Sequence, residues 1–163
     1  MLRKLVVIGV LTALAGMVIG GATLASADNN GNGGATVLTL HSTTIQDTEI
    51  DLGREGFSQG DRLVFRDRIT TTAGKRVGEL HGDCVFTKTT GSRVTLRCGV
   101  TAAFGPHSSI DVAGVLTFTP EREAGPFFLP VTGGSGRYLG AEGEVRVTFT
   151  SQNTTELRFR LVD

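Results

Sequence analysis

The chain has 163 residues, 39% of them hydrophobic, and its 16 Lys+Arg balance 16 Asp+Glu. Interspersed charge of this kind leaves no basic footprint for nucleic acid and no basic amphipathic helix for a membrane surface. What remains is the composition of one ordinary globular domain.

Residues 1–27 read as a leader to be removed. Arg3-Lys4 form a positive start, Leu5 to about Gly20 form an uncharged apolar run, and Ala25-Ser26-Ala27 gives the Ala-x-Ala cleavage signal. The alternative is an uncleaved anchor, for which the apolar run sits near the lower limit for spanning a bilayer. Cleavage after Ala27 implies a secreted protein with no stable membrane association once processed. Loss of Arg3 and Lys4, with no acid, leaves the remainder at −2. Residues 28–35, rich in Asn and Gly, form a flexible spacer, and residues 36–163 make up the domain.

Within that domain helical periodicity is scarce and period-2 alternation recurs. Runs begin at Val37, Leu63, Leu80, Val94, Ile110, Phe127, Val145 and Leu157, about eight in all, separated by turn signals. Short alternating strands with no helix between them predict an all-β fold, either an antiparallel sandwich or an up-and-down barrel. On the second run Leu63, Phe65, Asp67 and Ile69 share one face, opposite Arg62, Val64, Arg66 and Arg68. The apolar face should point inward, which carries Asp67 inward with it. An inward carboxylate in an apolar cavity has its pKa raised by desolvation, or needs a partner such as an arginine or a backbone amide. The segment Asp47-Thr48-Glu49-Ile50-Asp51 lacks the glycine and terminal glutamate of a calcium loop, and reads as a solvated strand edge.

A hairpin is legible around Thr89-Thr90-Gly91-Ser92. Symmetry about Gly91 sets Cys84 opposite Cys98 and Phe86 opposite Leu96, so the two cysteines of an exported chain are expected to form a disulfide. A metal site built from His81, Cys84 and Cys98 would have three ligands, with His81 on the other face, and no metal or cofactor is expected. His41, His81 and His107 read as surface or loop residues.

The stretch Leu129 to Phe149 carries glycines at 133, 134, 136 and 140. Its spacing fits neither a P-loop nor a dinucleotide fingerprint, and Ser135 is not in a nucleophile elbow. A hinge where the sheet turns accounts for it.

Val131-Thr132-Gly133-Gly134-Ser135-Gly136, followed by Gly140, Gly143 and Val145, resembles the signature of the allene oxide cyclase and dirigent barrels. Gly60-Asp61-Arg62-Leu63-Val64-Phe65-Arg66-Asp67, Gly82-Asp83-Cys84-Val85 and Ile110-Asp111-Val112-Ala113-Gly114 resemble further segments in the same order. The resemblance implies an eight-stranded antiparallel up-and-down β-barrel, calycin-like in architecture and commonly a homotrimer. Its apolar cavity would hold a reactive intermediate while it cyclises or couples. In the plant cyclases a glutamate and two asparagines face that cavity. Thr44 stands where the glutamate belongs, Gln46 at the first asparagine and Asp67 at the second, while Cys84 matches a cavity cysteine. Thr44, Gln46 and Asp67 are therefore the candidate catalytic residues. Leu63, Phe65, Ile69, Leu80, Phe86, Leu96 and Val100 are the candidate lining.

Three functions remain open on this reading. A secreted isomerase or cyclase would direct an apolar substrate, a lipocalin-like carrier would bind an apolar metabolite, and a structural barrel would have a filled interior.

Overall fold

Eight strands form where the alternation predicts them. They are β1 (Thr36–Ile50), β2 (Arg62–Thr71), β3 (Arg76–Thr90), β4 (Arg93–Ala103), β5 (Ser109–Phe118), β6 (Phe127–Ser135), β7 (Glu142–Phe149) and β8 (Thr154–Val162). The computed structural model describes residues 34–120 and 125–162, so the leader, its cleavage site and most of the spacer lie outside the described residues. Each strand pairs antiparallel with the next, and β1 pairs with β8, closing a barrel in chain order. Closure removes the free edges that a sandwich would keep. Eight strands enclose a space that side chains can just fill, or that holds one small ligand.

Here the two ends differ. At one end Leu40, Ile69, Ile110, Val131 and Leu161 are buried against one another and plug the barrel. Beside the plug Phe104 and Tyr138 pack with ring centroids 5.1 Å apart, and the Arg137 guanidinium lies over both rings. Burial of a Leu or Ile side chain contributes about 1.5–3 kcal/mol, so this end is the firm base of the fold. Arg137 and Tyr138 belong to a single 3₁₀ turn, Gly136–Tyr138.

The glycine stretch is only partly a hinge. Gly133 and Gly134 lie inside β6 and pair with Asp111 and Ile110, and Thr132 is the extra residue at a register shift. Gly136 makes the turn itself, at φ 59°, and a Cβ there would run into the His107 carbonyl oxygen. Only glycine meets both conditions.

The β3–β4 hairpin carries the expected disulfide between Cys84 and Cys98. Its turn residues are Gly91 and Ser92, so the centre of the turn falls half a residue beyond Gly91. A register shift between Phe86 and Lys88 compensates, restoring the Cys84–Cys98 and Phe86–Leu96 pairs. Outward-facing charges on β2 and β3 make surface ion pairs, such as Arg62 with Asp83 at 3.7 Å. Exposed pairs of this kind contribute little to stability; their use is to keep the outer wall in water.

Candidate functional site

Above the plug the barrel opens into a cavity of about 600 Å³. Leu63, Phe65, Leu80, Phe86, Leu96 and Val100 line it, as the shared inward face predicts, together with the disulfide. Ile69 does not; it lies in the plug with none of its surface exposed, one row below the cavity floor. A space this large also weighs against an interior filled by side chains.

Asp67 is the polar focus of the cavity. It is 7% exposed, and its Oδ1 is buried with no hydrogen-bond partner among the described residues. Burial holds its carboxyl above the ordinary 3.8; the Ser42 and Thr44 hydroxyls pull it partly back by donating to the charged form, and the nearby charge of Asp47 pushes it up again. Thr44 is its direct partner across β1 and β2. The carboxylate therefore enters from β2, facing Thr44 on β1. Such a group can hold a proton, give it to a basic atom in the cavity, or take one from an acidic carbon or hydroxyl.

Gln46 departs from the sequence expectation. A bulge at Ile45 shifts the register between Thr44 and Gln46, so that Gln46 pairs with Arg66. It lies in a shallow groove on the outer wall with Thr48, Val64, Arg66, His81 and Asp83. The cause is the period of the strand: one extra residue reverses which side chains face inward.

Asp47 and Glu49 are exposed on the stretch of β1 that extends beyond its pairing with β8, in keeping with a solvated edge, and the bulge also brings both to the mouth of the cavity. Along β1 the inward positions are Leu40, Ser42 and Thr44 before the bulge, then Asp47 and Glu49 after it. Asp47 pairs with Phe65 and Glu49 with Leu63, so these acids step down towards Asp67 at about 7 Å per row.

Aromatic side chains surround the mouth. Phe57, from the β1–β2 loop, stacks on Phe86 with centroids 5.3 Å apart, and Phe127 meets Phe149 edge-on at 6.1 Å. Phe118 completes the lining on the β5 side. The alternation marks Phe86 among these mouth positions, whereas Phe57 lies in a loop and escapes it.

Asp61 holds the Phe57 loop in place. Its Oδ1 accepts from the Leu52 N–H at 2.8 Å and the Ser58 hydroxyl at 3.1 Å, and its Oδ2 accepts from the Ser58 N–H at 2.7 Å. The loop is also stitched to β3 by the Gly60 N–H donating to the Phe86 carbonyl and the Phe86 N–H to the Asp61 carbonyl, each at 2.9 Å. The Leu52 N–H leads in drawing the Asp61 carboxyl below the ordinary 3.8, with burial opposing and Ser58 assisting. Asp61→Ala should cost about 1–3 kcal/mol at neutral pH, the range for leaving hydrogen-bonded groups unpaired. A depressed folded-state pKa gives stability that is present above the unfolded value and lost as pH falls through the folded one. Thermal melts of variant and wild type should therefore stay apart near pH 3.8 and converge only as pH falls through the lower folded-state value. A gap that persists undiminished in that stronger acid would show that the carboxylate is not the stabilising group.

Comparison with known proteins agrees with this architecture. No curated protein matches the sequence. Among solved structures, a pyocyanin demethylase is 28% identical, with a TM-score of 0.67 over 77% of this chain and 99% of that one. A Diels–Alderase from Streptomyces koyangensis is 16% identical, with a TM-score of 0.66 over 82% of this chain and 70% of that one. A pterocarpan synthase dirigent protein is 15% identical, with a TM-score of 0.62 over 86% and 96%. At such identities the last two are alike in fold. Residues 37–161 match the allene oxide cyclase barrel-like domain, nearly the whole of the described barrel, and the chain belongs to that family.

Proposed function

We propose that this protein is an exported barrel catalyst that isomerises, cyclises or couples a reactive apolar small molecule, with Asp67 moving the proton at the reacting atom. One observation carries the reading: a buried carboxylate in the wall of an open and mainly apolar cavity, with one oxygen that has no hydrogen-bond partner among the described residues. A purely structural acid would be expected to have its hydrogen bonds satisfied. The names of the similar structures, a demethylase, a Diels–Alderase and a pterocarpan synthase, support chemistry on small molecules inside such a barrel. Export with cleavage after Ala27 and assembly as a homotrimer belong to the same proposal; no metal or cofactor is assigned.

A second reading, a carrier of an apolar metabolite, is favoured by the length of apolar wall between the disulfide and the floor. The two separate in one assay. The purified protein is incubated with pyocyanin and related phenazines, and followed by absorbance and product analysis. Conversion faster than in buffer supports the catalyst; saturable binding with the compound recovered unchanged supports the carrier. A cavity that neither binds nor converts any apolar probe would sink both.

A further inference from the structure

We propose that the cavity selects an organic cation, a flat aromatic molecule carrying delocalised positive charge, over neutral or anionic molecules of the same shape. The proposal deepens the reading of this cavity as a small-molecule site, and it stands whether or not turnover follows binding.

Three observations converge on it. Every charged side chain among the described residues lining the cavity is an acid: Asp47 and Glu49 at the mouth and Asp67 within. No described Lys, Arg or His shares that wall. The second observation is independent of the acid count. Asp67 is part of the cavity lining and more than nine-tenths buried, and its Oδ1 has no hydrogen-bond donor among the described residues, so a negative group in the wall is left only partly answered. The third is the aromatic mouth, where Phe57 lies stacked on Phe86 and Phe127 stands edge-on to Phe149. Aromatic faces carry negative electrostatic potential and attract cations, most strongly where water is thin.

Charge delocalisation decides which cation fits. A compact ammonium is strongly hydrated and would lose that hydration on entering an apolar wall, whereas a spread charge is weakly hydrated and loses less. The apolar wall then contacts the ring system by burial, and the polar groups set its orientation. A fatty carboxylate or another anion meets the opposite case: three acids repel it and no described cation in the lining receives it.

The test uses three fluorescent probes of near-equal shape at pH 8: 10-methylacridinium, 9-methylanthracene and anthracene-9-carboxylate. The cation should bind about tenfold tighter than the neutral probe, from screened attraction to the acids together with cation–π contact. The anion should bind weakest, and added salt should weaken the cation most. In Asp47→Asn combined with Glu49→Gln, the ratio of cation to neutral affinity should fall severalfold, the remainder belonging to Asp67 and the aromatic mouth. Retained binding of the neutral probe by that variant shows that the barrel is still formed. Equal affinity for the cation and the neutral probe, or preference for the anion, overturns the charge selection while leaving the cavity as a small-molecule site. Absence of binding by all three probes overturns both.

Discussion

Asp67→Asn should abolish turnover and, at neutral pH, make the protein more stable. The two effects have one origin. An ionised carboxylate without a partner for Oδ1 is costly inside the barrel, and burial is the leading reason its pKa is raised. A group whose folded-state pKa is raised gives stability that is full below the unfolded value and is lost as pH rises through the folded one. At pH 7 the wild type therefore carries the penalty. Asparagine has the same shape without the charge, and its amide can donate to the Ser42 and Thr44 hydroxyls. Relief of one unsatisfied buried group is worth about 1–3 kcal/mol, or about 3 °C in Tm per kcal/mol for a domain of this size. The melting curves should meet as pH falls below the ordinary 3.8. Turnover of a converted substrate should fall by about two to four orders of magnitude, the usual contribution of a positioned acid or base. An Asp67→Asn protein that is less stable at pH 7 would make Asp67 a structural acid. Unchanged turnover would remove it from the mechanism.

The second large effect is expected at Gly82. This residue pairs with Phe65 across β2 and β3, and a Cβ at Gly82 would run into the Phe65 ring. That ring forms the cavity wall between Asp67 and the disulfide. Gly82→Ala should push it into the cavity, at about 1–3 kcal/mol of overpacking, and should weaken binding of any cavity ligand about tenfold or more by narrowing the approach to Asp67. Phe65→Leu placed in the same chain removes the far side of the ring and should restore both stability and binding. The rescue separates a steric effect from a general backbone effect, because contacting residues give non-additive double mutants. A double variant no better than Gly82→Ala alone would show that the glycine serves its own backbone.

The strands, their number and the inward face of β2 were legible because period-2 alternation is written locally, residue by residue. The Cys84–Cys98 pair was legible because a hairpin is the shortest long-range contact a chain makes, and a half-residue error at the turn was offset by a shift between Phe86 and Lys88. The bulge at Ile45 was not legible. Nothing in Thr44-Ile45-Gln46 marks an extra residue, since a bulge is defined by the strand opposite. That one residue turned Gln46 outward and brought Asp47 and Glu49 to the mouth. Likewise the sequence placed Asp67 inside, but only closure of the barrel decided that its Oδ1 would have no partner among the described residues and that the cavity it lines would stay open. Local pattern determines which way a side chain faces along its own strand; what it then meets depends on seven other strands, and those contacts exist only in the folded barrel.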